Sequence, residues 1–161
     1  MKNPAKQRGM MLIEALMAVL IFSLGILGMV GLNALAVSSQ SDAQYRTEAN
    51  RLATLIIGRI WVSVDRSTGT SVAASLVPFN HQTSGTVCNF DSGSASTNPL
   101  ITDWVAEVLA TSTGLPGATS AMQQVKIDTD ALGQNEVTVT LCWQAPNDAV
   151  PRKHVMKSGI N

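Results

Sequence analysis

The chain has 161 residues, of which 14% are charged, and its formal net charge is zero, so its length fits one domain with an appendage rather than two domains. The charges are unevenly placed, because Lys2, Lys6 and Arg8 precede Gly9 whereas all 11 acidic residues follow it. Beyond Gly9, eight basic residues stand against eleven acidic ones, a net charge of −3. Phosphate binding needs clustered lysines and arginines, and the sequence offers no such cluster after Arg8, which argues against nucleic acid as a partner.

A long apolar segment follows this basic start. No residue from Ala15 to Leu32 is charged, and the hydrophobic character continues to Val37. At 1.5 Å per residue, a helix from Met10 to Val37 is about 40 Å long, enough to cross a hydrocarbon core of about 30 Å. The positive-inside rule then places residues 1–9 in the cytoplasm and predicts that the remainder is exported.

Glu14 lies inside this segment and limits how it can be interpreted, since a carboxylate at the centre of a bilayer costs about 2.5 to 3.5 kcal/mol. If the segment is a secretory signal peptide, Ala34 and Ala36 provide the small residues of a cleavage site. The apolar region of such a peptide is about 7 to 15 residues long, however, which is shorter than the apolar segment here. A plain single-pass anchor has a suitable length and leaves Glu14 unexplained.

A third interpretation rests on "GMMLIEAL", the stretch that begins at Gly9. After its short basic leader it resembles the class III signal of type IV prepilins, typically G-F-T-L-I-E, and the matching residues are Gly9, Met10, Leu12, Ile13, Glu14 and Leu16. The resemblance implies that a prepilin peptidase cuts after Gly9 and N-methylates Met10. Glu14 is then the fifth residue of the mature chain, where this family has a glutamate that serves subunit assembly. Met10 departs from the usual phenylalanine, at a position where many apolar residues are tolerated.

Three glycines, Gly25, Gly28 and Gly31, recur at intervals of three within the apolar segment. Each costs up to about 1 kcal/mol relative to alanine in a helix interior. Small residues allow two helices to approach closely, so this spacing predicts packing against another helix. The resemblance implies a second use, a local loss of helicity when the helix packs in a filament.

A second helical pattern continues beyond the apolar segment. Apolar residues recur at spacings of three and four, at Ala49, Leu52, Ala53, Ile56, Ile60 and Val64, which predicts an amphipathic helix covered by a sheet. The charged residues around it, Arg46, Glu48, Arg51 and Arg59, are interpreted as a solvated surface or one that faces another subunit. The Ser-, Thr- and Gly-rich ranges Asp65–Ser75 and Ser84–Asn98 are predicted to be long loops.

A shorter helix and a sheet are predicted in the rest of the chain. Asn98 as N-cap and Pro99 at the first position begin the helix, which Gly114 and Pro116 end, and Trp104 is assigned to the core. Alternating residues predict an antiparallel hairpin of "QQVKID" and "NEVTVTLCW", with a weaker third strand near Arg152–Lys157.

Cysteine and histidine usage predicts no catalytic, metal or cofactor site. The chain has two cysteines, Cys88 and Cys142, without a CxxC motif or a histidine at ligand spacing. A disulfide between them is expected because the domain is predicted to lie outside the cytosol, with Cys142 beneath the loop of Cys88. His81 and His154 are interpreted as solvated surface residues, and no nucleophile motif, carboxylate pair or phosphate loop accompanies them, so the sequence predicts no enzyme.

The second half of the chain extends the resemblance. "DWVAEVLATSTGLPG", followed by a V-x-V-x-x-x-W strand, is similar to PilV-type minor pilins, the type IV pilus modification proteins. This implies an α+β, type IV pilin-like fold with a leader (1–9), a transmembrane half-helix (10–37) and a periplasmic globular domain (38–161).

The expected function is that of a minor pilin that primes or caps pilus assembly and enters the filament. Its expected partners are the prepilin peptidase, other minor pilins, the major pilin and inner-membrane lipid. The expected location is the bacterial inner membrane and then the pilus. Two alternatives stay open: a minor pseudopilin of a type II secretion system, and a secreted periplasmic adhesive or binding domain released at Ala36.

Overall fold

The computed structural model describes residues 8–67, 69–129, 133–146 and 148–160. Three α-helices and three strands lie within these ranges: α1 (Arg8–Ser63), α2 (Gly69–Leu76), α3 (Pro99–Val108), β1 (Gln123–Thr129), β2 (Asn135–Trp143) and β3 (Arg152–Ile160). Short 3₁₀ turns at Val77–Phe79 and Ser120–Met122 precede the loop that leads to α3 and the first strand, respectively.

The chain forms two compact units, with the boundary between Ala43 and Gln44. The first unit is the beginning of α1, whose residues from Met10 onward are exposed up to Gln40. This helix is long and apolar enough to cross a membrane, judged by length and composition. Of the predicted leader, residues 1–7 lie outside the described residues.

The second unit is built around the remainder of α1. The predicted apolar face is fully buried, as the side chains of Ala49, Leu52, Ala53, Ile56 and Ile60 show. It belongs to the same core as residues of α3 and of the sheet, among them Trp104, Val139 and Trp143. Burial of this face therefore holds the helix to the domain, because helix propensity alone does not stabilise so long an element.

The end of α1 is stabilised by the residues that follow it. The Arg66 guanidinium donates to the carbonyls of Trp61 and Val64, at 2.8 and 3.3 Å, and lies 5.0 Å from the centre of the Trp61 ring. Carbonyls at a helix C-terminus have no partner within the helix, and a cation there also interacts favourably with the helix dipole.

The prediction of a continuous loop over Asp65–Ser75 is wrong, because α2 occupies most of that range. Val72 and Leu76 are buried in the core, four residues apart and therefore on one face of the helix. A composition rich in Ser, Thr and Gly favours a loop, but burial of these two side chains outweighs that local preference.

Helix α3 begins where the sequence predicts. The side chain of Asn98 accepts a hydrogen bond of 2.9 Å from the backbone N–H of Leu100, and Pro99 occupies the first turn. The face bearing Ile101, Trp104 and Val108 is buried. The predicted assignment of Trp104 to the core is confirmed.

The sheet is antiparallel with the order β1-β2-β3. Val125 pairs with Val139, which pairs with Met156 in β3, so the predicted hairpin is confirmed and the third strand extends to Ile160. The side chains that face the core alternate with those that face outward. The architecture is therefore α+β and pilin-like: a long N-terminal helix, part of which packs against a small antiparallel sheet.

Candidate functional site

The predicted processing residues lie at the start of α1. Gly9 and Met10 are helical, and the Met10 side chain is 66% exposed. Glu14 is exposed and lies four residues, about one helical turn or 6 Å, beyond Met10. The carboxylate and the predicted new N-terminus therefore share one face of the helix.

Glu14 also shares its face with small residues. Steps of three and four residues along α1 lead from Glu14 to Ala18, Gly25 and Gly28, whereas Gly31 lies about 100° away around the helix. A methyl group added at Gly25 or Gly28 would meet no described atom within 4 Å. Packing within the described part of the chain thus does not require glycine at these positions, despite its cost in a helix.

Cys88 and Cys142 form a disulfide that closes a loop across 54 positions of sequence. Cys142 is fully buried and lies on the sheet face that points away from the core. In the strand register it pairs with Lys153 of β3. The expected pairing is confirmed. It ties the segment before α3 to the central strand of the sheet.

The segment over that sheet face is irregular, as predicted, and extensively hydrogen-bonded. The Gln124 side chain donates to the Gln82 carbonyl at 2.8 Å, and the Phe90 N–H donates to the Ala121 carbonyl at 2.7 Å. Gly93 packs so closely that an added Cβ would lie 2.6 Å from the Gln82 backbone. This loop is a fixed part of the domain surface.

The interpretation of His81 as a solvated surface residue is wrong, because it is 3% exposed. Its backbone exchanges two hydrogen bonds with Val125 in β1, at 2.9 and 3.0 Å. Its Nδ1 accepts from the N–H of Ser96 at 3.1 Å, which requires an unprotonated nitrogen. Burial lowers the pKa of His81, and the backbone of Ser120 opposes that effect. His154 lies in β3 and is half-buried, so it is not fully solvated either.

Ion pairs join the outer face of α1 to α3. Arg51 contacts Glu48 at 2.7 Å and Glu107 at 2.9 Å, and Arg59 contacts the second oxygen of Glu107 at 3.7 Å. Hydrogen bonds to Glu48 and Glu107 raise the pKa of Arg51. These side chains are partly exposed, so the pairs orient the helices more than they stabilise them.

Strand β3 carries three basic residues that were not predicted to form a group: Arg152, Lys153 and Lys157. Arg152 pairs with Asp148 at 2.8 Å, and Lys157 pairs with Glu136 at 2.6 Å. The Arg152 guanidinium lowers the pKa of Asp148. Three basic residues within six positions, on a strand without a carboxylate, are the signal that could have identified this group.

The described residues also contain a polar groove of about 510 Å³ between Tyr45, Glu48 and the loop 109–118. No three His, Cys, Asp or Glu side chains come together as a possible metal site within the described ranges. No protein-family model, curated protein or solved structure matches the chain.

Proposed function

We propose that this chain is a minor pilin of the type IV pilus that helps to prime or cap assembly and becomes part of the filament. The observation that carries the proposal is the position of Glu14, one turn after Met10 at the start of an exposed apolar helix. Small residues on the same face of that helix permit the close contacts that a bundle of subunits needs.

The free-energy cost of the Glu14 carboxylate differs between the membrane and a helix bundle. Near the membrane surface the carboxylate stays partly hydrated, and the positive end of the helix dipole favours it. In a bundle of helices water is excluded, and an unpaired carboxylate becomes expensive unless it meets a cation. Cleavage after Gly9 creates an amine at the same depth, so the N-terminus of a neighbouring subunit is the proposed partner of Glu14.

The remaining features support a structural role outside the cytosol. The disulfide belongs to an oxidising compartment. The apolar helix is compatible with a single-pass anchor, and the basic leader sets the proposed orientation, with the N-terminus in the cytoplasm. The prepilin peptidase, other minor pilins, the major pilin and inner-membrane lipid are its proposed partners, and the proposed role involves no catalysis.

Mass spectrometry of the membrane-extracted chain tests this proposal. We expect a mature chain that starts at N-methylated Met10, and we expect Gly9→Val to block cleavage because a branched side chain cannot fit a peptidase pocket that accepts glycine. A chain that starts at Val37 would contradict the proposal, as would an uncleaved chain in a host with active prepilin peptidase. Copurification of the chain with sheared pili then distinguishes a minor pilin from a minor pseudopilin of a type II secretion system.

A further inference from the structure

The two outer strands of the sheet differ in how their edges are covered. The outer edge of β1 is occupied, since His81 exchanges backbone hydrogen bonds with Val125 and the Asn80 side chain accepts from the N–H of Ile127 at 3.0 Å. Between Lys153 and Ser158, the backbone of β3 makes no hydrogen bond to a described residue outside β2, and the Gly159 carbonyl accepts one only from the Ser158 side chain of the same strand, at 3.4 Å. The alternate N–H and C=O groups that point away from β2 are therefore available to another strand.

The open edge is long and regular. All nine residues of β3 pair with β2 without a bulge, and Pro151 lies just before the strand rather than within it. Native sheets commonly disrupt exposed edges with bulges or prolines, because an unbroken edge is a template for strand addition. Edge lysines are a second protective device, and β3 does carry lysines.

The side chains of the edge specify what can pair with it. The outward face of β3 carries every second residue, which are Lys153, Val155 and Lys157. The Val155 side chain is 44% exposed. Lys157 already contacts Glu136, whereas Lys153 makes no ion pair with a described residue. An arriving strand is complementary when it places carboxylates opposite the lysines and an apolar residue opposite Val155.

The core-facing side of β3 is also incompletely covered. Met156 and His154 are only half-buried, in contrast to the fully buried Val139 and Leu141 that they pair with in β2. The Nε2 atom of His154 is shielded from solvent and has no hydrogen-bond partner among the described residues. A polar side chain on an added strand can supply that partner.

A second copy of this chain does not fit the edge. Strand β3 contains Arg152, Lys153 and Lys157 and no acidic residue, so two such strands side by side set like charges close together, which is destabilising. The edge of β1 in a second copy is already occupied by Asn80 and His81. The charges therefore favour a different chain.

We propose that the open edge of β3 binds an extended, acidic segment of a different protein, which adds to the sheet as a fourth strand. Backbone hydrogen bonds supply affinity in such strand addition, and alternate side chains supply selectivity. The surface lies in the second unit and does not involve Glu14, so it stands independently of filament assembly.

The test uses the full chain in detergent micelles and dye-labelled, end-capped heptapeptides measured by fluorescence anisotropy. The acidic peptide has the sequence Thr-Glu-Thr-Val-Thr-Glu-Thr. The second peptide is identical except that lysine replaces both glutamates. Two cross-strand ion pairs predict that the acidic peptide binds about two- to thirtyfold more tightly. Hydrogen exchange should slow in Arg152–Ile160 and stay unchanged in Gln123–Thr129.

Variants separate strand addition from general attraction. Lys153→Glu should reduce or reverse the preference for the acidic peptide, whereas Lys126→Glu, the matched change on β1, should preserve it. An acidic peptide with N-methylated backbone nitrogens should bind at least tenfold more weakly.

Four results would overturn the proposal. They are equal affinity for both peptides, no binding, protection confined to another part of the chain, and self-association that protects β3 without peptide. Equal affinity or an absence of binding would leave the lysines with a purely protective role. None of these results bears on processing at Gly9, so this proposal and the filament role can fail separately.

Discussion

Trp104 in α3 donates its indole N–H to the backbone carbonyl of Leu52 in α1 at 3.0 Å, and both residues are fully buried. This hydrogen bond connects the two helices through a carbonyl that lies within the helical ladder of α1. Replacing Trp104 by phenylalanine keeps an aromatic ring but removes the donor and leaves unfilled volume. We expect Trp104→Phe to lower the free energy of unfolding by about 1 to 3 kcal/mol.

Urea denaturation of the full chain in mild detergent, followed by circular dichroism, measures that loss. Trp61→Phe is the matched control, because Trp61 is 40% exposed, its indole N–H donates a long hydrogen bond of 3.3 Å to Ser158, and phenylalanine keeps an aromatic ring beside Arg66. It should cost less than about 1 kcal/mol. Equal losses in the two variants would contradict the importance of the buried contact.

Opening the disulfide is expected to destabilise the second unit. The bond closes a loop across 54 positions of sequence, for which the chain-entropy model gives an upper value of roughly 4 kcal/mol. Cys88→Ala combined with Cys142→Ala should reproduce the urea midpoint of the reduced protein. Alkylation without reductant should modify neither cysteine, and modification of both in the exported chain would show that the bridge does not form there.

Stability should decrease as the pH falls below about 6.5, the ordinary pKa of histidine. Burial lowers the pKa of His81 in the folded chain, so the unfolded chain binds this proton at a higher pH than the folded chain does. The contribution is complete above the ordinary pKa and is lost as the pH falls toward the folded value. Protonation also removes the acceptor for the N–H of Ser96.

Urea midpoints between pH 7.5 and 5.5 test this pH dependence. Asparagine can still accept a hydrogen bond but does not titrate, so His81→Asn should flatten the slope. The same change at His154 serves as the control for the general effect of losing a histidine. A slope unchanged by His81→Asn would assign the acid sensitivity to other groups.

Glu14→Gln is expected to leave the chain cleaved, inserted and folded but several-fold depleted in sheared pili. The amide is nearly isosteric with the carboxylate and lacks the charge that would meet a neighbouring N-terminal amine. Immunoblots of pili against the membrane fraction give the ratio. Glu48→Gln is the control on the same helix, beyond the apolar segment, and should enter pili at the level of the unmodified chain. Recruitment of both variants at that level would end the pairing hypothesis.

Gly28→Leu tests the face that Glu14 shares. It should not alter the folding of the isolated chain, since an added Cβ meets no described atom within 4 Å, but it should prevent close helix packing and reduce recruitment to pili. Gly31→Leu makes the same change at a position about 100° around the helix from Glu14 and should be better tolerated. Similar defects in both would point to backbone flexibility rather than to a packing face.

Local sequence determined the elements whose patterns are self-contained. The spacing of Leu52, Ile56 and Ile60 specifies the buried face of α1, since residues three to four apart share one side of a helix. Asn98 and Pro99 specify the start of α3 because capping needs only adjacent residues. The alternation of apolar and polar residues likewise specifies β1 and β2, because successive side chains of a strand point to opposite faces of the sheet. The apolar start of α1 and Glu14 within it are visible without any tertiary contact.

Only the tertiary structure decided the features that depend on distant residues. The helix at Gly69–Leu76 exists because Val72 and Leu76 find a core to enter, which a composition rich in Ser, Thr and Gly does not indicate. His81 is buried because its backbone pairs with a strand more than forty positions away, and the same pairing closes one edge of the sheet, whereas the described residues leave the edge of β3 open. Periodicity specifies which face of an element is apolar. The partner of that face or edge is set by long-range packing, because it depends on the entropy cost of closing a loop and on the free energy gained by burial. Neither quantity can be obtained from a local sequence pattern.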